Sequence, residues 1–377
     1  MSKFDFIEQE LQRRDALRQH RVLRNIKPLP SACCMVDGRA MVNFSSNDYL
    51  GLAMHPELKQ RAHEFSNRYG TGSSASRLIT GSLDCFEGIE KKLAALKSVE
   101  SVLIFNSGFQ ANVSVIPSLV DQDSLILSDR LNHNSIIQGV TLAGCDKLIF
   151  DHNDLDHLEA LLTENPGYSR KLILTESVFS MDGDQSDIDR LINIATEHNA
   201  ILFVDEAHAT GVLGPSGMGL TVGKNVDITV GTFSKAMGAF GAYVASSAKI
   251  RDYLINCCAG FVYTTALPAS TLGAIDAALD LVPDMHTERE ILQENAEFLR
   301  LALQQLGYNT GESTTQIIPV LLGDEQRTLT MSEKLEQAGF LATPIRPPTV
   351  MDSRIRLALS AAHTREQIEA LTNIFRN

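Results

Sequence analysis

Ile201-Leu202-Phe203-Val204-Asp205-Glu206-Ala207-His208 is the stretch on which the fold turns. Its first four residues form a short apolar run rich in β-formers, which predicts a buried strand. The end of that strand delivers a carboxylate and an imidazole within one turn. A second apolar run, Ile228-Thr229-Val230, leads into Thr232-Phe233-Ser234-Lys235-Ala236-Met237-Gly238, so a lysine follows Asp205 by 30 positions in a loop of mostly small residues. In an open α/β sheet ligands bind beyond the carboxyl ends of the strands, which puts the three groups at one expected site.

Strands of the same kind read near Val102–Phe105, Ser124–Ser128, Lys147–Phe150, Lys171–Glu176 and Gly241–Ala245, with helices between them. This alternation predicts an α/β fold with a large, mostly parallel seven-stranded sheet covered on both faces. A long helix over 284–306 then leads to strands at Gln316–Leu322 and Arg354–Leu359 and helices at Arg327–Ala338 and Arg365–Phe375, a small C-terminal α+β domain. Pro344-Ile345-Arg346-Pro347-Pro348-Thr349 reads as a stiff loop without regular structure. Residues 3–24 read as an amphipathic helix, with Phe6, Ile7, Leu11, Leu17 and Leu23 available for one face. The expected organisation is an N-terminal helical arm and short strand region over 1–42, a large domain over 43–283 and a small domain over 284–377.

A net charge of -13 argues against a nucleic-acid-binding protein, whose surface must attract phosphate. The exception is the stretch 11–27, where Arg13, Arg14, Arg18, Arg21, Arg24 and Lys27 face only Asp15. It reads either as a solvated charged helix or as a basic arm that receives an acidic substrate carrier. The six cysteines form no C-x-x-C pair and no Cys/His cluster of zinc spacing, so no metal site is expected and reduced thiols of a cytoplasmic protein fit. No signal-peptide core precedes the first helix, and no apolar run approaches about 18 residues.

Several other strand ends carry reactive groups. Asn106-Ser107-Gly108-Phe109 joins a strand to a helix, where the glycine serves either a tight turn or an anion held at the helix N-terminus. Ser180, before Asp182-Gly183, could reach a ligand, though a serine there is usually turn chemistry, and His133, which follows a strand, is alone more often a surface or capping histidine than a functional one. Lys235 is either a solvent-facing loop lysine or a partly desolvated amine with depressed pKa, suited to Schiff-base formation. Asp205, after four apolar residues, needs a cation or strong donors at depth. An acid for a ring nitrogen and an amine for an aldehyde are what pyridoxal 5'-phosphate (PLP) requires. Asp-Glu-Ala-His also marks a helicase class, but no G-x-x-x-x-G-K-[ST] loop precedes it. The Gly211–Gly219 run lacks G-x-G-x-x-G spacing and is interrupted by Pro215.

Taken together, the segments Asn43–Leu52, Gly70–Leu78, Asn106–Phe109, Ser180–Asp184, Val204–Gly211, Thr232–Lys235 and Ser360–His363 resemble the α-oxoamine synthases, a family of PLP-dependent transferases of fold type I, over nearly the whole chain. The resemblance implies that Lys235 holds PLP as a Schiff base, Asp205 pairs with its ring nitrogen, His208 meets its phenolic oxygen and His133 stacks on its ring. Ser107, Gly108, Phe109, Ser180 and Thr232 are implied around the cofactor. Thr264 or Thr265 is implied at the phosphate of a second subunit, which makes a homodimer with shared sites the expected state. Asn47 and Arg356 are implied at an amino-acid carboxylate, with His133 also near the substrate, and Thr349 and Arg18 at an acyl group. Arg18 fits the family's local pattern better than Arg21.

Within the family, Leu131-Asn132-His133, Tyr263–Pro268 and Ile345–Val350 resemble the member that joins L-alanine to a pimeloyl thioester, on coenzyme A or an acyl carrier protein, in biotin synthesis. The alternatives are sister activities (glycine with acetyl or succinyl thioester, serine with a long-chain acyl thioester) and, in a different class, a non-catalytic PLP-binding protein.

Overall fold

The computed structural model describes residues 2–17 and 19–376; Arg18 lies outside the described residues. Fourteen strands follow in chain order. Near the N-terminus are β1 (Ile26–Leu29), β2 (Cys33–Val36) and β3 (Arg39–Asn43). The middle of the chain supplies β4 (Ser101–Phe105), β5 (Ser124–Asp129), β6 (Asp146–Phe150), β7 (Arg170–Glu176), β8 (Ile201–Asp205), β9 (Ile228–Thr232) and β10 (Ala242–Ser246). The last are β11 (Ile317–Gly323), β12 (Phe340–Leu341), β13 (Thr343–Ile345) and β14 (Ser353–Ala358).

The middle seven form one sheet in the order β4-β10-β9-β8-β7-β5-β6, in which only β10 runs against its neighbours. Period-two alternation lets both faces bury apolar side chains. In β7, Leu172 and Leu174 pack with Val115 and Ile136, whereas Ile173 packs with Leu158 and Leu191 on the opposite face. The helices Gly108–Ser118 and Asn134–Ala143 therefore cover one face, and Leu155–Glu164 and Ile188–Glu197 the other. With six strands pointing the same way, the carboxyl ends of β5, β7, β8 and β9 open on one edge of the sheet.

The long helix spans His286–Gln305 and leads to the three-stranded sheet β11-β14-β13. Two expectations change here. Pro344 and Ile345 are not loop: they belong to β13, an edge strand on β14, where a proline costs no ladder hydrogen bond. Among the described residues the N-terminal helix covers only Asp5–Ala16 and buries no residue, so Phe6 (67% exposed), Ile7 and Leu11 stay exposed, and Leu17 and Leu23 lie beyond the helix. The N-terminal strands are completed by β12, which pairs parallel to β3 and so ties residues 40 and 340 regions of the chain into one sheet.

Candidate active site

At the carboxyl edge of the large sheet lies a cavity of about 250 Å³ lined by Ser107, Gly108, Phe109, His133, Asp205, His208, Thr232 and Lys235, together with Asn112, Ser135 and Glu176. A larger cavity, about 400 Å³, opens among Glu290, Glu294, Glu297 and Arg300 of the long helix; it is an acidic surface groove without converging reactive groups. The chemistry is at the sheet edge.

β8 ends at Asp205, which is 5% exposed, and the turn after it is held by backbone bonds from Ala209 and Thr210 to the Glu206 carbonyl. One Asp205 oxygen accepts from Asn112 Nδ2 at 2.7 Å and the other from the Ala207 N–H at 2.8 Å. Asn112 in turn also donates to Ser135 Oγ at 2.9 Å. The lysine loop is anchored by the fully buried Phe233, Ala236 and Met237 and closed by the Gly238 N–H on the Lys235 carbonyl. Gly211, at φ +92, lies against this loop, and a Cβ there would meet the Ala236 methyl at 2.5 Å.

Lys235 Nζ lies 2.8 Å from His208 Nε2. Burial pushes the lysine down to about 8, against the pull of Asp205 and Glu176 and with the help of Arg356. Burial, then the positive groups Lys235 and Arg356, hold His208 well below the ordinary imidazole range, so the ring is neutral. Glu176, at the end of β7, accepts from the His133 N–H and is driven well above the carboxylic range by burial beside Asp205. His133 both caps the helix Asn134–Ala143, accepting from the Ser135 N–H at 3.3 Å, and lines the cavity.

His208 Nδ1 lies 2.6 Å from the hydroxyl of the fully buried Tyr49, which donates to Asn47 Oδ1 at 3.1 Å. Arg356 Nη2 also donates to Asn47 Oδ1, and Arg356 Nε donates to the Ser180 carbonyl at 2.6 Å. Asn47, Ser180 and Arg356 are thereby joined to the cavity through Tyr49. Thr264 and Thr265 are not: Asn106 Nδ2 donates to Thr264 Oγ1 and to the Thr265 carbonyl outside the cavity, and Thr265 is exposed. Thr349 accepts from Arg21 Nη2 at 3.3 Å. Of the basic arm, Arg13 and Arg14 pair with Glu10, and Arg24 pairs with Asp37 and Glu336, so much of its charge is neutralised within the chain.

The residues fit PLP on their own chemistry. Asp205 is a buried carboxylate whose hydrogen-bond partners are amide donors, a setting that suits a ring cation. Ser107 caps the helix Gly108–Ser118, and a Cβ built on Gly108 would meet nothing within 4 Å, leaving open space before a helix N-terminus suited to a phosphate. The sequence reading passed over Tyr49, Asn112, Ser135 and Glu176. Tyr49 and Glu176 stood inside quoted motifs, and Asn112 was a polar residue on an otherwise apolar helix face.

The aminotransferase class I and II family matches residues 39–375. A Desulfosudis oleivorans protein provisionally named 8-amino-7-oxononanoate synthase is 54% identical over 100% of this chain and 98% of its own. An 8-amino-7-oxononanoate synthase of Gluconacetobacter diazotrophicus is 46% identical over 98% and 96%. Among solved structures, Sphingomonas wittichii serine palmitoyltransferase superposes with a TM-score of 0.94 at 27% identity, covering 100% of this chain and 98% of that one. Francisella tularensis 8-amino-7-oxononanoate synthase gives 0.79 at 27%, covering 89% and 97%. Fold and site together define a PLP-dependent transferase of fold type I. The chain belongs to the aminotransferase class I and II family and, within it, to the α-oxoamine synthases.

Proposed function

We propose that this enzyme condenses L-alanine with a pimeloyl thioester, releasing carbon dioxide and the free thiol carrier and yielding 8-amino-7-oxononanoate for biotin synthesis. The observation that carries this reading is the near-half identity, over nearly full length, to proteins of that name. The cavity with its Lys235–His208 contact supplies the chemistry. Lys235 would hold the PLP aldehyde carbon, Asp205 the ring nitrogen, His208 the phenolic oxygen and His133 the ring face, with Ser107, Gly108, Phe109 and Thr232 around the phosphate. When bound, PLP supplies the sink for the electron pair left at Cα.

In this reading Asn47 and Arg356 bind the alanine carboxylate, and Arg356 is oriented by its bond to the Ser180 carbonyl. Alanine's amino group would displace Lys235 from the aldehyde carbon, and the freed Lys235 amine, whose pKa burial lowers, would take the Cα proton as general base. Asp205 keeps the ring nitrogen protonated, and its own geometry is fixed by Asn112 and Ala207. A bond then forms between Cα and the acyl carbon as the carbon–sulfur bond breaks, and the thiolate leaves and is protonated. The ketone so created beside Cα would take the electrons of the departing carboxylate, which would leave as carbon dioxide. Lys235 returns a proton to Cα.

Thr349 and the adjacent Arg21 are the proposed contacts of the acyl substrate, with Arg18, which lies outside the described residues, the other candidate arginine. A homodimer with shared sites is supported by exposed apolar side chains near the motifs, Leu78, Ile79 (75% exposed), Phe109 and Tyr263 (85% exposed). Thr264 or Thr265 would then serve the second subunit's phosphate. A three-part division at 42/43 and 283/284 is supported by the separate large and C-terminal sheets. Six free thiols suit a cytoplasmic setting, and no helix among the described residues is long and apolar enough to cross a membrane.

A sister activity is favoured by the TM-scores above 0.9 to serine palmitoyltransferase, and one methyl group in a pocket discriminates by only about 1–3 kcal/mol. A panel of amino acids crossed with acyl thioesters, scored by thiol release, decides between them. Alanine with pimeloyl thioester is expected to give the highest kcat/KM. A higher value for serine or glycine pairs would transfer the assignment to a sister activity.

A further inference from the structure

The loop after β7, residues 177–187, carries Ser180 and is gripped from two sides. On one side stands the C-terminal domain. Arg356 Nε donates to the Ser180 carbonyl at 2.6 Å, Arg354 pairs with Asp182, and the Gly183 carbonyl accepts from the Thr314 N–H at 3.1 Å and from Thr315 Oγ1 at 2.8 Å. On the other side stands His152, just past β6, which none of the roles given above uses. Its Nδ1 lies 2.9 Å from Asp129 Oδ1 and its Nε2 2.7 Å from Asp184 Oδ2, and its ring meets Phe179 edge to face at 4.3 Å. The Asp184 carbonyl in turn takes the Phe179 N–H at 3.1 Å, which folds the loop back on itself around Ser180.

We propose that His152 is a positioning residue for the amino-acid carboxylate: as an imidazolium bridging Asp129 and Asp184, it holds the 177–187 loop where the Ser180 carbonyl can orient Arg356. The inference deepens the reading of Arg356 as a carboxylate ligand and rests on it. Donor and acceptor counting gives the charge. An ionised carboxylate only accepts, so with one on each ring nitrogen both nitrogens must carry hydrogen. Asp129, at the end of β5, is buried and also accepts from the Leu131 N–H at 2.8 Å and the Asn153 N–H at 2.9 Å, donors that suit its ionised form. Asp184, 7% exposed, takes Asn153 Nδ2 at 2.7 Å on the oxygen that meets His152, and its other oxygen has no partner among the described residues. His152 is therefore the cation on which the Asp184 charge depends.

His152→Gln leaves two buried carboxylates facing each other without a cation between them, and like charges at depth repel. Asp129 is fixed to the sheet by its two backbone donors, so Asp184 is the one that moves, and the loop with Ser180 moves with it. Arg356 keeps its Nη2 bond to Asn47 Oδ1 at 3.1 Å, so the carboxylate site is loosened rather than lost. Asp205 and Lys235 are held by other segments, so the chemical step continues. A fall in amino-acid affinity with an intact turnover rate is the signature of this arrangement.

The test titrates L-alanine, glycine and L-serine against the visible absorption of the full-length, PLP-loaded protein, wild type and His152→Gln, with steady-state kinetics and thermal melting alongside. The three amino acids share the carboxylate, so the result does not depend on which of them the enzyme uses. The dissociation constant of the responding amino acid is expected to rise about tenfold in His152→Gln, the worth of one well-placed charge-assisted hydrogen bond, with kcat at saturation and the thioester KM close to wild type. An unchanged dissociation constant, including one accompanied by a lower kcat from a reduced folded fraction, would overturn the proposal. In an Arg356→Lys background His152→Gln should add little, and a full tenfold effect there would show that His152 does not act through Arg356. A wild type that responds to none of the three, or an Arg356→Lys variant that binds as wild type does, would instead sink the carboxylate reading on which the inference rests. Nitrogen NMR of the protein freed of PLP is expected to show His152 as an imidazolium at neutral pH, where a free imidazole of pKa about 6.5 is mostly neutral, and a neutral ring would overturn the proposal. Should His152→Gln fail to fold, Asp184→Asn serves: it removes the loop's side of the bridge and is expected to weaken amino-acid binding in the same sense, and no change there would overturn the proposal.

Discussion

Lys97→Met probes what holds the Asp205–His208 turn in place. Lys97, at the end of the helix Cys85–Lys97, is 1% exposed and its ammonium meets Glu206 Oε2 at 2.5 Å, the Met218 carbonyl at 2.7 Å and Thr221 Oγ1 at 3.3 Å. Glu206, next to Asp205 and fully buried, also accepts from the Thr221 N–H and hydroxyl, each at 2.9 Å. Gly219, at φ +103, makes room for it; a Cβ there would collide with its carboxylate. Breaking a buried pair costs about 3–5 kcal/mol because a charge is stranded. The carboxylate left by Lys97→Met keeps its two Thr221 donors, which sets the expectation at the lower end, about 3 kcal/mol or roughly 4 °C in melting temperature. Glu206→Leu strands an ammonium on a carbonyl and a hydroxyl and should cost about 5 kcal/mol. The double replacement Lys97→Met with Glu206→Leu removes both charges and should recover most of the loss. Denaturant midpoints for the four proteins close the cycle. A Lys97→Met midpoint within about 1 kcal/mol of wild type, or a double variant worse than either single one, would refute the reasoning.

His152 donates to Asp129 at 2.9 Å and to Asp184 at 2.7 Å. Those two carboxylates carry it up to about 10 against its burial. Its folded pKa is raised, so its contribution is complete below an unfolded value of about 6.5 and is lost as pH rises through about 10. The stability gap between wild type and His152→Gln should be widest in mild acid and close in strong alkali; a gap independent of pH would contradict the cluster's charge. Asp205→Asn should slow exchange of alanine's α-proton, followed by NMR, by about 10- to 150-fold, the worth of a charge-assisted hydrogen bond of about 1.5–3 kcal/mol. Exchange at the wild-type rate would remove Asp205 from its proposed role.

The large sheet was legible because its strands are buried on both faces and read as unbroken apolar runs. All seven were placed with ends within a residue or two, from Val102–Phe105 against an observed Ser101–Phe105 to Gly241–Ala245 against Ala242–Ser246. Pairing that depends on distant chain was not. β13 carries Pro344 and exists because β14 offers it an edge, and β12 is two residues long and completes a sheet begun near residue 40. The N-terminal helix shows the converse: its apolar pattern was visible to position 24, but without a packing partner in the chain the helix ends at Ala16. In the site, strand-end residues such as Asp205, His208 and Lys235 announced themselves by polarity after an apolar run. Asn112, which reaches Asp205 across 93 positions, and Tyr49, which reaches His208 across 159, did not, since their partners are set by the folded topology alone. Arg21 meets Thr349 across 328 positions, a contact no sequence pattern announces, while Arg18 lies outside the described residues.

The central claim is that the Lys235 amine performs decarboxylative carbon–carbon bond formation on alanine. Thiol release from pimeloyl thioester, measured with and without L-alanine in wild type and Lys235→Ala, tests it most directly. The account predicts alanine-dependent release with equal carbon dioxide in wild type and its loss in Lys235→Ala. Release that is independent of alanine, or that persists in Lys235→Ala, would contradict it.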